Sequence, residues 1–183
     1  EQNFRSLVAT MEARLGAAPG ANGISISGNA ALSETDYELV QTEDVLKSWI
    51  ARADHAGAVA VDTETTSLDS MQAELVGVSL AVTAGQACYI PLGHKAADAG
   101  TTGDLLSEDE SADAPEQVAM NRALDLLKPL LEDPAVLKIG QNIKYDKQVL
   151  VRYGIDVTPV DDTMLISYVL GGGLNGHGMD ELA

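Results

Sequence analysis

The spacing of apolar positions predicts a helix followed by a buried strand in the first third of the chain. After Thr42, apolar side chains recur at helical spacing up to Gly57, at Val45, Leu46, Trp49, Ile50 and Ala53. Residues 58–62 then form a short, nearly continuous apolar run. A run of this kind is typical of a central strand that is buried on both faces.

Later segments alternate between strand and helix patterns. Residues 75–82 and 87–90 read as strands joined by a turn, which predicts an antiparallel hairpin. Residues 136–140 form a further strand, reached through a helix from about Pro115, so it should run parallel to the first. Pro129 should kink or shorten that helix. Two more helices are expected, at 142–153 and from Asp161 or Asp162 to Gly171.

Two weaker strands complete the predicted sheet. Residues 37–40 suit a short strand, and residues 157–160 suit an edge strand because Pro159 cannot donate to a ladder. Together the patterns predict an α/β domain. Its mixed sheet has three antiparallel strands first and parallel strands afterwards, flanked by helices. Residues 1–15 read as a short amphipathic helix and residues 16–32 as a linker.

Composition and charge narrow the classes of protein. The 183 residues are 45% hydrophobic and 21% charged, which suits one folded domain. There are 28 acidic and 11 basic residues, so a net charge of −17 argues against a free-standing nucleic-acid binder. Many acids cluster in a predicted loop insertion near 95–115. One cysteine, Cys88, excludes a disulfide framework and suits a reducing, cytoplasmic setting. No apolar run approaches the length of a membrane span.

Two acids end the apolar strand and suggest a metal site. Asp62 and Glu64 project to one side of a strand, about 6.5–7 Å apart at Cα. Paired carboxylates repel each other unless a cation lies between them, and Mg²⁺ or Mn²⁺ prefers such oxygen ligands. The alternative is that the strand ends here and its acids are solvated.

A second polar segment, residues 138–146 (KIGQNIKYD), follows the later parallel strand. If the two strands are neighbours, Asp146 can face Asp62 and Glu64, and three carboxylates can hold a pair of ions suited to phosphodiester hydrolysis. The alternative is a helix that Asn142 caps, with Lys144, Asp146 and Lys147 on its solvated face.

These segments resemble a known family. Residues 61–69 (VDTETTSLD) resemble the first motif of the DEDD exonuclease superfamily. Residues 138–146 resemble its second motif as found in the DNA polymerase I enzymes of bacteria, which are family A polymerases. Residues 126–133, 161–170 and 177–183 are similar to the same family and occur in the same order.

The resemblance implies a ribonuclease H-like fold and a 3′→5′ proofreading exonuclease domain over residues 36–183. More weakly, it implies that residues 1–35 are the end of a preceding 5′-nuclease domain and a flexible linker. The implied catalytic and metal-binding residues are Asp62, Glu64 and Asp146, holding two Mg²⁺ or Mn²⁺ ions. The implied contacts to the terminal nucleotide are an apolar wedge, Leu68, and the polar residues Thr65, Gln141, Asn142 and Tyr145.

The implied partners are the single-stranded 3′ end of DNA and the 5′-nuclease and polymerase domains of one monomeric chain, with no membrane. The family's third motif, Tyr-x-x-x-Asp, does not occur in these residues. The chain starts at Glu1 without a methionine and stops before that motif, so we expect a fragment with weak or no activity alone. Two alternatives stay open, a catalytically silent structural domain and an RNase D-like exoribonuclease.

Overall fold

A computed structural model describes residues 35–96, 114–172 and 176–182. In these ranges six strands form one sheet in the order β1-β4-β3-β2-β5-β6. Neighbouring strands are antiparallel for β2–β3 and β3–β4, and parallel for β1–β4, β2–β5 and β5–β6. The strands are β1 (Asp36–Leu39), β2 (Ala58–Thr65), β3 (Leu75–Thr83), β4 (Gln86–Pro91), β5 (Leu137–Gly140) and β6 (Val160–Asp162).

Helices connect and flank the strands. They are α1 (Glu43–Ala56), α2 (Met120–Glu132), α3 (Lys144–Val151), α4 (Thr163–Gly171) and the short α5 (Met179–Leu182). The predicted limits of α1 are confirmed. The Thr42 side chain accepts a hydrogen bond from the Val45 amide at 3.4 Å, and Gly57 ends the helix with φ at +69°. A positive φ of this size favours glycine, which has no Cβ to clash.

One face of the sheet carries the hydrophobic core. In β2, Val59 and Val61 are buried, whereas the alternate residue Ala60 is exposed. Trp49 of α1 is 1% exposed, and its indole nitrogen donates to Glu38 at 2.7 Å. Cys88 lies in this core, as its apolar strand predicts, and burial raises the pKa of its thiol to about 12. The core therefore fixes which β2 side chains are left for the opposite face.

The predicted mixed sheet is confirmed, including the hairpin and the parallel pairing of β2 with β5. Two local predictions were wrong. The helix expected from Pro115 begins at Met120, because the Gln117 side chain is bonded to the His94 backbone at 3.2 and 3.0 Å. Pro129 lies inside α2, which continues to Glu132, and the kink or shortening expected there stays a prediction. The last strand is an edge strand, as predicted, but it spans Val160–Asp162 rather than 157–160.

Some predictions concern segments outside the described ranges. The amphipathic helix and linker expected before residue 35 lie there, as does most of the acidic loop near 95–115. Among the described helices, none combines the length and the apolar character that crossing a bilayer requires.

Candidate active site

Strand β2 places Asp62 and Glu64 on the side of the sheet opposite the core. Asp62 pairs with Ser79 and Glu64 with Gly77 across β3, and the register shifts after Glu64. Asp62 is half-buried and Glu64 is exposed, as expected where an alternating strand runs out into solvent. The sequence prediction that both acids share one side is therefore confirmed.

Helix α3 brings a third carboxylate to the same strand. β5 ends at Gly140, and its pairing with β2 reaches only Ala60, so the β2 edge beyond that point has no strand partner in the described residues. Asp146 of α3, which is 3% exposed, occupies this edge. Its Oδ1 accepts hydrogen bonds from the Thr63 amide at 3.0 Å and the Thr63 hydroxyl at 2.6 Å. The buried Asp146 rules out a solvated face for this part of α3.

Burial and neighbouring negative charge raise the pKa of Asp62 and of Asp146. Burial raises the pKa of Asp62, and the charge of Glu64 raises it further, against the Thr63 backbone hydrogen bond. The pKa of Asp146 is raised to about 6, above all by burial. The charge of Asp62 contributes to this rise, and the Thr63 hydrogen bonds oppose it. Ionising Asp62 and Asp146 at the end of β2 therefore costs more free energy than ionising an exposed aspartate.

The donor chemistry of the site fits a hard divalent cation. Carboxylate oxygens are the ligands that Mg²⁺ and Mn²⁺ prefer, and a cation would relieve the repulsion that raises the pKa of Asp62. No three of the described His, Cys, Asp and Glu side chains form a ready metal-binding group, however. In the described residues the three carboxylates therefore do not form a closed metal-binding group.

Two predicted nucleotide-contacting residues, Thr65 at the end of β2 and Tyr145 of α3, meet beside the loop after β2. The hydroxyls of Thr65 and Tyr145 are 2.5 Å apart, and both lie within hydrogen-bonding reach of the Ser67 carbonyl. Leu68, the next residue in the loop, is 98% exposed. The Leu68 side chain is therefore not part of the hydrophobic core.

The other two predicted contacts follow β5. Gln141 donates to the His177 carbonyl at 2.6 Å and accepts from the Thr163 hydroxyl at 2.5 Å, so its side-chain amide is held from both ends. Asn142 has φ of +54°, a left-handed conformation that asparagine tolerates better than most residues. Asn142 is not the N-cap of α3, because Ile143 occupies that position; its amide donates to Asp162 at 3.0 Å.

A cleft of about 280 Å³ lies beside Asp62 on this side of the sheet. Its floor consists of small side chains that lie next to one another across three strands, including Ala60, Ser79, Ala81 and Ala87. Gln141 forms part of its wall. Of the five predicted nucleotide contacts only Gln141 lines this cleft, whereas Thr65, Leu68 and Tyr145 lie at or beside the loop after β2.

Sequence reasoning missed two features of the site. The first is the role of Thr63. The alternation of a strand places its side chain on the face opposite to Asp62 and Glu64, where it binds Asp146. Tyr89 was read only as a strand position. Its hydroxyl lies over Gly77, where any Cβ would be 2.1 Å away, and hydrogen-bonds the His94 imidazole at 2.7 Å. Burial raises the pKa of Tyr89, and the charge of Glu64 adds to this rise.

Comparison with known proteins identifies the family. A family model described as the 3′-5′ exonuclease of DNA polymerase A matches residues 37–183. This range includes β2, β5 and α3, which carry the site. The chain belongs to this exonuclease family. Its likeness to DNA polymerase I of Rhizobium leguminosarum is 50% identity over 156 residues, and to that of Pseudomonas aeruginosa 41% over 157 residues. These alignments cover 80% and 82% of the chain but 15% of each polymerase.

Solved structures agree on the fold of this exonuclease domain. Brucella melitensis NrnC with bound Mg²⁺ is similar with a TM-score of 0.53 and 23% identity, covering 81% of the chain and 59% of NrnC. Escherichia coli RNase D, an exoribonuclease, is similar with a TM-score of 0.51 and 20% identity, covering 75% of the chain and 30% of RNase D. The predicted ribonuclease H-like fold is confirmed.

Proposed function

We propose that this exonuclease domain removes nucleotides from single-stranded or frayed 3′ ends of DNA, and so proofreads for a DNA polymerase I in replication and repair. The observation that carries the proposal is the placement of three carboxylates around the end of β2: Asp62 and Glu64 lie in the strand, and Asp146 is hydrogen-bonded to Thr63 between them. Burial and a neighbouring carboxylate raise the pKa of Asp62 and of Asp146 there. Carboxylates with pKa values shifted in this way are common at sites that bind cations or catalyse reactions.

We propose that Asp62, Glu64 and Asp146 hold two divalent metal ions, Mg²⁺ or Mn²⁺. When bound, the ions would supply a metal-activated water nucleophile and stabilise charge on the leaving 3′ oxygen. Thr63 keeps Asp146 ionisable through two hydrogen bonds to one oxygen. Glu64, which is exposed, is the carboxylate most accessible to an incoming strand.

The polar and apolar residues around the carboxylates would hold the terminal nucleotide. Leu68 offers an apolar surface for the last base, and Thr65 and Tyr145 sit at the base of its loop. Gln141 lines the cleft and Asn142 follows it in the chain, with its backbone amide bonded to Asp162, and the two side chains can bind phosphate or sugar. A terminal nucleotide would then contact the protein on both sides of Asp62. These contacts would orient its scissile phosphate.

The partners are proposals too. The chain aligns with about 15% of each related polymerase, and we propose that it is one domain of a longer, monomeric bacterial chain with 5′-nuclease and polymerase domains. Such a chain would act in the cytoplasm on nucleoid DNA. With a net charge of −17, residues 1–183 would bind DNA weakly without divalent ions. Three carboxylates without the family's third motif should support weak turnover at most.

A nuclease assay tests the proposal. Residues 1–183 and the polymerase-length polypeptide are incubated with single-stranded DNA carrying a label at its 3′ end, in Mg²⁺ or Mn²⁺. We expect release of deoxynucleoside monophosphates by the longer polypeptide, loss of release in Asp62→Ala, and no change in Asp54→Ala, an exposed α1 residue. No release by either protein would favour a structural domain, and faster release from RNA ends an RNase D-like activity.

A further inference from the structure

The loop between β2 and β3 is held in one shape by its own hydrogen bonds. The Asp69 carboxylate accepts from the Met71 amide at 3.0 Å and from the Gln72 side chain at 2.6 Å. The Asp69 carbonyl accepts from the amides of Gln72 and Ala73 at 2.9 and 2.8 Å. This tight turn leaves two apolar side chains in solvent, Leu68 at 98% and Met71 at 69% exposure.

Helix α3 fastens the same loop to the body of the domain. Tyr145, Gln148 and Arg152 are spaced by three and four residues, which places them on one side of the helical turn. The Tyr145 hydroxyl donates to the Ser67 carbonyl. The Gln148 side chain accepts from the Ser70 hydroxyl at 2.7 Å, and Ser70 is only 8% exposed.

Arg152 makes the most extensive of these contacts. One guanidinium nitrogen donates to the Ser70 carbonyl at 3.0 Å and to the Ala73 carbonyl at 2.6 Å. In the described part of the chain, Arg152 forms no salt bridge, although carboxylates outnumber cations on this protein. The charged guanidinium therefore donates to two neutral carbonyls of one loop. Hydrogen bonds from a charged donor are stronger than those from a neutral donor.

We infer that Gln148 and Arg152 are positioning residues, which hold the loop so that Leu68 meets the 3′-terminal base in a fixed orientation. The inference rests on the proposed function. An exposed apolar side chain on a mobile loop must be ordered at each binding event, and this ordering weakens binding. A loop already fastened by α3 avoids most of that loss. In the described residues neither side chain forms a hydrogen bond or salt bridge with the three carboxylates, so the effect on DNA binding should pass through Leu68.

Hydrogen exchange tests the fastening without any need for nuclease activity. We expect exchange of the Met71, Gln72 and Ala73 amides to become at least about tenfold faster in Arg152→Ala, and less so in Arg152→Lys, which keeps one charged donor. Arg122→Ala is the matched control, since Arg122 pairs with Glu43 on the α1–α2 side of the domain. Unchanged exchange of the three amides in Arg152→Ala and Gln148→Ala would overturn the inference.

Kinetics with single-stranded DNA in the polymerase-length polypeptide test the consequence. Arg152→Ala should raise KM about threefold to tenfold with little change in kcat, and Arg152→Lys should recover part of the loss. Combined with Leu68→Ala, Arg152→Ala should add almost nothing, because both act through one contact. Additive effects, or a loss confined to kcat, would overturn the inference. If the wild type degrades no DNA, the proposed function fails, and the exchange rates still decide whether α3 holds the loop.

Discussion

The buried carboxylate of Asp146 accepts two hydrogen bonds from Thr63, one from its amide at 3.0 Å and one from its hydroxyl at 2.6 Å. Thr63 lies between Asp62 and Glu64 in β2, so one residue joins the α3 carboxylate to the strand that carries the other two. This contact exists because β2 extends past β5 and leaves an amide that no strand satisfies in the described residues. Asp146 thus replaces a missing strand at the sheet edge.

Removing the Thr63 hydroxyl should weaken both the fold and the site. In Thr63→Val the side chain keeps its shape and its preference for strands but loses the 2.6 Å hydrogen bond to a buried carboxylate. We expect the free energy of unfolding in urea to fall by about 1–3 kcal/mol. Thr63→Ser, which keeps the hydroxyl, should lose much less. Equal stability of Thr63→Val and the wild type would show that the hydroxyl contributes nothing.

Ionisation of Asp146 should make stability depend on pH. Its pKa is raised to about 6 in the folded protein, by burial above all, against about 3.9 in an unfolded chain. The folded state therefore binds this proton more tightly, so the stabilisation is complete below about pH 4 and is lost as the pH rises past 6. The loss is on the order of 3 kcal/mol without divalent metal.

Urea titrations of Asp146→Asn in EDTA at a series of pH values isolate this group. The amide oxygen can still accept from Thr63 but does not ionise, so the variant should gain stability relative to the wild type as the pH rises from 4 to 7. Asp54→Asn, on the exposed side of α1, provides the control and should show no such trend. A constant difference between Asp146→Asn and the wild type would mean that Asp146 ionises normally.

Asp62 should show a conflict between stability and cation binding. Its pKa is raised by burial and by the charge of Glu64, so Asp62→Asn should unfold at a higher temperature than the wild type in EDTA at neutral pH. The gain should stay below about 1 kcal/mol, because the side chain is partly solvated. Excess Mn²⁺ should stabilise the wild type but not the variant, as measured by calorimetry. An equal response to Mn²⁺ would place the cation elsewhere.

Much of the fold follows from local sequence pattern. The apolar run before Asp62 specifies a buried strand, and the helical crossover predicts that residues 137–140 run parallel to it. The sequence leaves open whether the two strands are neighbours; the structure pairs β5 directly with β2, which brings Asp146 to the strand that carries Asp62. The turn between β3 and β4 and the left-handed Gly57 are equally local. Such features are predictable because each depends on residues close together in sequence.

Features that depend on long-range contacts were not predictable. Lys138 is fully buried in β5, although a lysine in a strand usually reaches solvent. Its ammonium donates to the carbonyls of Leu130, Asp133 and Val136, which end α2 and the loop after it. The Arg152 contacts with the loop after β2 span 79 and 82 residues. The sequence around Lys138 or Arg152 does not indicate which carbonyl groups each side chain binds, because every residue has a backbone carbonyl.

Asp162 should link helix capping to the geometry of the Gln141–Asn142 turn. One oxygen of this buried carboxylate accepts from the Asn142 amide at 3.0 Å and from the Met164 and Leu165 amides, at 2.9 and 3.3 Å. Asp162→Ala therefore removes an N-cap and frees a left-handed asparagine, and we expect about 1–2 kcal/mol less stability in urea.

Asp162→Asn separates the two roles of this residue, because an amide oxygen caps helices about as well as a carboxylate. We expect it to keep nearly all of the stability and of the binding of single-stranded DNA in Mn²⁺, whereas Asp162→Ala should lose both. Stability restored without DNA binding would instead show that the negative charge of Asp162, rather than its hydrogen bonds, serves the site. Loss of stability in both variants would mean that Asn142 needs the stronger, charged acceptor to hold its positive φ.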